Sequence, residues 1–339
     1  MVLKKSFFFL GIAILLQSCT NTKVYDTFTG FVQGTTYRMI FENSGKINPV
    51  ELKSEVEKLL FDYDMSLSVY RDSSIVSKIN RNEDVVPDAW FASVFARSEE
   101  INRLTGGDFD ITVGPLVNAM GFGPDAHKHF NAQMRDSLME LVGMEKVKMV
   151  NGKIEKSDPR IKLDFNAIAK GYSVDVVSGF FDGKGIKSYL VEIGGEIRVK
   201  GSKNGKLWKI GIDRPEDSNF VPGNHLQAVL RLKDRSLATS GNYRKFYVED
   251  GIKYSHTIDP KTGMPARNQL LSATILASDC ATADGIATAC MVKGKDETIE
   301  FLEKHPEFDA FLIFSDDSGN FSTWMTSGLR NYISEPENK

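Results

Sequence analysis

Between residues 27 and 41 the chain is rich in β-branched and aromatic side chains, interrupted by Gly30 and Gly34, which predicts a pair of strands. Asn48-Pro49 then supplies a capping residue and a proline for a first helical turn, with Leu52, Val56, Leu59 and Leu60 on one stripe behind them. A second helix is expected over 88–104, stopping at Gly106-Gly107. A third is expected over 131–142, with Met134, Leu138, Leu141 and Val142 as its apolar face.

From Ile186 the pattern shortens to strands separated by turns, at 189–193, 197–200, 208–212, 226–232, 246–248, 253–258 and 272–277. Gly194-Gly195 reads as a turn or bulge between two of them. A helical pair over 279–292 and 296–304 precedes strands at 310–314 and 321–325. No repeat, low-complexity block or Pro/Gly linker divides the chain. The expectation is one mixed α+β domain over 27–335 with interleaved elements.

Residues 1–26 stand apart. Lys4-Lys5 precede an apolar run over 7–16 and then Gln17-Ser18-Cys19, the layout of a secretory signal. A run of about ten residues at ~1.5 Å rise is too short for a ~30 Å hydrocarbon core. Leu16-Gln17-Ser18-Cys19 resembles a bacterial lipobox, which implies a signal peptide over 1–18, lipidation of Cys19 and a tether over 19–26. The expected product is an exported lipoprotein, anchored to a membrane and facing the periplasm. The alternative is a secreted protein with an incidental Cys19.

Composition adds exclusions. The 339 residues carry 42 basic and 45 acidic side chains, a formal charge of −3, so no nucleic acid is expected as a partner. Without residues 1–18 the balance is 40 basic against 45 acidic groups. No P-loop and no Gly-x-Gly-x-x-Gly opens a helix after a strand. Cys280 and Cys290 fall within one predicted helix, about 15 Å apart along its axis, too far for a disulfide.

Three stretches carry candidate chemistry. In Ser278-Asp279-Cys280-Ala281-Thr282-Ala283-Asp284-Gly285-Ile286-Ala287-Thr288-Ala289, Asp284 and Thr288 lie one helical turn apart on the same face. A carboxylate beside a hydroxyl suits Mg²⁺, and flanking alanines permit close packing; the plainer alternative is a solvated aspartate. Leu163-Asp164-Phe165-Asn166-Ala167-Ile168-Ala169-Lys170-Gly171-Tyr172 leads an acidic residue into a helix start and brings in a lysine suited to anions. Ala238-Thr239-Ser240-Gly241-Asn242-Tyr243-Arg244 and Tyr254-Ser255-His256-Thr257-Ile258-Asp259-Pro260 offer small and hydroxyl residues, an arginine for phosphate, and a histidine able to act as a base. His127 and His129 near Asp125 read as a surface loop.

Further motifs are Gly34-Thr35-Thr36-Tyr37, Met65-Ser66-Leu67-Ser68-Val69-Tyr70, Phe109-Asp110-Ile111-Thr112-Val113-Gly114-Pro115-Leu116 and Gly121-Phe122-Gly123. Tyr189-Leu190-Val191-Glu192-Ile193-Gly194-Gly195-Glu196 and His256-Thr257-Ile258-Asp259-Pro260-Lys261-Thr262-Gly263 follow. With the stretches above, and in this order, they resemble the ApbE family of FAD:protein FMN transferases over about residues 30–292. Gln33 stands where that family often has methionine, and Asn166-Ala167 where it commonly has two glycines.

The resemblance implies a T-fold-related α+β domain with an antiparallel-rich sheet and packed helices. It implies Mg²⁺ held by Asp284, Thr288 and the carbonyl of Ala167. It also implies FAD contacts from Tyr70, Phe109, Asp110, Asp164, Lys170 and Ile258, with His256 or Asp284 as the base. The implied reaction passes FMN from FAD to a threonine of an acceptor protein in a membrane or periplasmic electron-transfer system, releasing AMP. Hydrolysis of FAD to FMN and AMP, or flavin binding without chemistry, are the alternatives.

Overall fold

The structure, a computed structural model, describes residues 24–124, 130–216, 223–242, 246–249, 252–255, 257–316 and 320–334. Its frame is an eight-stranded sheet. The strands, numbered β1 to β8 along the chain, are Tyr25–Val32, Thr35–Glu42, Tyr189–Ile193, Glu196–Lys200, Arg235–Gly241, Leu270–Ala277, Asp309–Ser315 and Phe321–Met325. Their order across the sheet is their order along the chain, and each neighbouring pair is antiparallel. The predicted strand pair is the β1–β2 hairpin. It turns at Gln33 and Gly34, both at positive φ, the twist a tight hairpin prefers.

Six helices lie between β2 and β3: α1 (Pro49–Leu67), α2 (Ile75–Asn80), α3 (Ala89–Thr105), α4 (Gly114–Ala119), α5 (Ala132–Met139) and α6 (Ala169–Gly183). Two more, α7 (Cys280–Lys293) and α8 (Lys295–Lys304), join β6 to β7. Local chemistry sets several ends. Asn48, Asp88, Asn131 and Asp279 each cap a helix by accepting a backbone N–H, and α3 stops at Gly106 in the left-handed region.

The middle of the sheet is covered on both faces, so strands there bury apolar residues on both sides. Tyr189, Val191 and Ile193 of β3 pack on the helical side with Val56, Leu60, Val177 and Phe181. Leu190 faces the other way, into a core shared with Trp208, Ile210 and Leu230. That second layer is a three-stranded sheet of Trp208–Asp213, Leu226–Leu232 and Ile333–Ser334. Helix α7 is buried around most of its circumference, and its alanines and glycine let neighbours approach from several sides.

Three expectations are corrected. The helix predicted over 131–142 ends at Met139, and the buried Leu141 and Val142 lie beyond it in the turn before Gly143. The strand predicted over 253–258 is two pieces, Ile252–Ser255 pairing with Phe246–Glu249 and Ile258–Asp259 pairing with Met264–Pro265. The stretch after Ala238 forms the end of the central strand β5. Asp164 does not open a helix: its own carboxylate accepts from the Asn166 N–H, closing a turn, and α6 begins at Ala169. Helices α2 and α4 and a hairpin over 147–156 were not expected. No helix among the described residues is long and apolar enough to cross a membrane.

Candidate active site

Asp284 lies on the second turn of α7, buried where α7 crosses the start of α6. The backbone N–H of Gly171 donates to its Oδ2 at 2.9 Å. Glycine is needed there, because a Cβ on residue 171 would stand 2.3 Å from the Cys280 carbonyl oxygen and 2.7 Å from the Asp284 Cβ. A second stitch joins the helices: Asp175 of α6 accepts the N–H groups of Cys280 and Ala281 at 2.9 Å, satisfying donors at the start of α7. The solvated-aspartate alternative is therefore excluded for Asp284.

Charge at this crossing is mixed. Burial and the nearby Glu196 push the Asp284 carboxyl well above the usual range, against the opposing pull of Lys170 and the Gly171 N–H. Lys170 is half-buried and paired. Its ammonium lies 3.2 Å from Glu196 Oε2, and its pKa is raised chiefly by that carboxylate, with burial opposing. One turn on from Asp284, the Thr288 hydroxyl is 3.4 Å from Ser240 Oγ, which brings the end of β5 to the same helix.

The approach to α6 is braced from α1. Tyr63 donates to the Ala169 carbonyl at 2.6 Å. Gln33 in the hairpin turn donates to Asp64 at 3.1 Å and accepts from the Ser173 hydroxyl at 3.3 Å. Ala167, between Asp164 and this brace, is partly exposed.

A second group lies around Asp164, which is buried and has its pKa raised by burial. Asp164 lines a cleft of about 180 Å³ with Val69, Asn80, Gly114, Asn118 and Lys162. Tyr70 is exposed and donates weakly to the Phe122 carbonyl at 3.4 Å. Phe109 is a core side chain that faces Gly285. The Asp110 carboxylate accepts from the Thr112 N–H and hydroxyl, the Met144 N–H and the Asn102 amide. Ile258 is buried beside Leu116, Met120 and Val142. Cys19, His127, His129, Arg244 and His256 lie outside the described residues.

A larger cavity of about 410 Å³ lies elsewhere, between α3, α6 and the start of α7, and contains none of the residues expected to bind FAD. Sequence reasoning gave Glu196 and Asp175 no role. Neither carried a local signal: Glu196 opens an alternating strand that also holds Arg198 and Lys200, and Asp175 sits within a helix.

Residues 33–312 match the model of the ApbE family. The chain belongs to the ApbE family. It is 34% identical over 333 residues to a FAD:protein FMN transferase of Vibrio cholerae, covering 96% of this chain and 98% of that one. A FAD:protein FMN transferase of Haemophilus influenzae is 34% identical over 341 residues, covering 97% of each chain. The solved flavin transferase ApbE from Vibrio cholerae superposes with a TM-score of 0.82 at 33% identity, over 91% of this chain and 99% of that one. The α+β fold expected from the sequence is thus the ApbE fold, antiparallel-rich with helices packed on it.

Among the described residues no three His, Cys, Asp or Glu side chains gather into a metal cluster. The donor set at the α6–α7 crossing is of another kind. It offers one buried carboxylate held by the Gly171 N–H, and one hydroxyl a turn away. Such a sparse, all-oxygen set fits Mg²⁺, which commonly shares its shell between a few protein ligands and phosphate oxygens.

Proposed function

We propose that this chain transfers the FMN moiety of FAD to a threonine hydroxyl of an acceptor protein. The observation that carries the reading is Asp284, buried and held by the Gly171 N–H beside Lys170, in a chain of the ApbE family. The threonine oxygen forms a bond to the FMN-side phosphorus while the bond to the AMP oxygen breaks. AMP leaves with that oxygen, and the hydroxyl proton goes to His256 or Asp284 as base.

Asp284, Thr288 and the Ala167 carbonyl would hold Mg²⁺, whose chemistry when bound is Lewis-acid neutralisation of the pyrophosphate. Lys170 adds a fixed positive charge in a protein whose overall charge is −3 and so gives a dianion no general attraction. Tyr70, Asp164 and Ile258 would line the FAD path, with Phe109 and Asp110 setting the wall behind it. Residues 1–18 would be removed and Cys19 lipidated, placing the enzyme on a membrane facing the periplasm, within reach of a flavinylated electron-transfer subunit.

The test is incubation with FAD, Mg²⁺ and a threonine-containing acceptor, followed by in-gel flavin fluorescence. A fluorescent acceptor band with AMP released is expected. AMP and free FMN without that band would make the chain a pyrophosphatase, and no AMP at all would leave a flavin-binding protein. For the anchor, a labelled fatty acid should tag the wild type and not Cys19→Ala.

A further inference from the structure

Glu196 begins β4 and is almost fully buried, where an ionised carboxylate is unfavourable unless a cation meets it. Lys170 is that cation, at 3.2 Å. The turn leading into Glu196 shapes the contact. Gly194 sits at φ +64°, and a Cβ there would stand 3.1 Å from Lys170 Cδ and 2.8 Å from Thr35 Cγ2. The lysine stem therefore runs against bare backbone, and its head meets the carboxylate two residues on. The next carboxylate is Asp284, which accepts from the backbone N–H of Gly171, the residue beside Lys170, at 2.9 Å.

We propose that Glu196 is a positioning residue that holds the Lys170 ammonium off Asp284, keeping that carboxylate open to a cation and the lysine open to the FAD pyrophosphate. A lysine side chain is flexible, and its ammonium is a point charge without the fixed geometry of a guanidinium. Deprived of Glu196, the Lys170 ammonium would be drawn toward Asp284, the carboxylate held by the neighbouring Gly171 N–H. A competing effect has the opposite sign: removing a negative charge makes the site more attractive to an anion. Positioning dominates if the lysine then occupies the carboxylate that the metal needs. The inference rests on the transferase reading only in assigning Mg²⁺ to Asp284 and the pyrophosphate to Lys170.

The experiment reads binding, not turnover. FAD is titrated by flavin fluorescence at a series of Mg²⁺ concentrations, without acceptor, for wild type, Glu196→Gln, Glu196→Asp, Lys170→Met and Glu196→Gln/Lys170→Met. Thermal unfolding of each variant records that it is folded at the temperature used. Glu196→Gln should raise the Mg²⁺ needed for half-maximal FAD binding by about tenfold or more, and Glu196→Asp by less. In the Lys170→Met background Glu196→Gln should add nothing, because residues acting through one another are not additive. If Glu196→Gln does not fold, Glu196→Asp with and without Lys170→Met gives the same comparison. A wild-type Mg²⁺ requirement in Glu196→Gln, or an equal increase in both backgrounds, overturns the proposal. Wild type that binds FAD with Mg²⁺ but never labels a threonine defeats the transferase reading alone. Wild type that binds no FAD defeats both.

Discussion

The backbone N–H of Gly171 donates to the Asp284 carboxylate at 2.9 Å, across 113 residues of chain. This bond sets where α6 crosses α7, and the crossing has no room for a side chain at residue 171. Gly171→Ala should push the helices apart, destabilise the fold by about 2 kcal/mol as overpacking does, and lower acceptor labelling out of proportion. Urea unfolding and in-gel fluorescence check the two effects separately.

Asp284→Asn separates chemistry from stability. The amide oxygen can still accept from Gly171, and the burden of a buried charge is gone, so unfolding at pH 7 should be no easier than in wild type. Acceptor labelling should fall by at least about 100-fold, because a neutral ligand holds Mg²⁺ poorly. Removing metal from wild type with EDTA should reproduce that loss, and added Mg²⁺ should reverse it. For comparison, His256→Ala should keep FAD affinity and lose most labelling; unchanged labelling would leave Asp284 or bound water as the base.

Burial pushes the Asp175 carboxyl up to about 6, against the N–H groups of Cys280 and Ala281. The folded state therefore holds this proton more tightly than the unfolded state, whose carboxyl titrates near the ordinary value of about 4. Its contribution favours folding at low pH and is lost as pH rises from about 4 through 6, by at most about 3 kcal/mol. Asp175→Asn removes that dependence. Relative to wild type it should gain stability between pH 4.5 and pH 7 in urea unfolding. A difference that stays constant with pH would contradict the assignment.

Asp108 joins two lysines, pairing with Lys261 at 2.6 Å and with the largely buried Lys293. It thereby ties the turn that follows Asp259 to the end of α7. Asp108→Ala should cost about 3 kcal/mol, because it leaves the Lys293 ammonium without its carboxylate. Lys261→Ala, which removes only the exposed partner, should cost under about 1 kcal/mol. Equal losses in chemical unfolding would mean that burial is not what distinguishes the two lysines.

Cys280 and Cys290 are free and buried, and burial pushes the Cys290 thiol up to about 12. In a Cys19→Ser protein neither should react with a disulfide reagent at pH 8 while folded, and both should react in denaturant. A fast-reacting thiol in the folded protein would show that α7 opens locally.

What the sequence by itself determined is local. Asn48, Asp88, Asn131 and Asp279 announce helix starts because a capping side chain needs only the next two or three N–H groups. Gly106 ends α3 for a similar reason, and the β1–β2 hairpin is written within its own residues. Asp284 and Thr288 were legible as a pair because one helical turn puts them on one face, and the ordered motifs were enough to suggest the family. Tertiary structure decided the rest. That Arg235–Gly241 is a central strand depends on β4 and β6, which flank it from distant parts of the chain. The Gly171–Asp284 and Lys170–Glu196 contacts join segments whose separation no local rule spans. Burial, which only the assembled helices and sheet create, decided between the two readings the sequence left open for Asp284 and removed the solvated one.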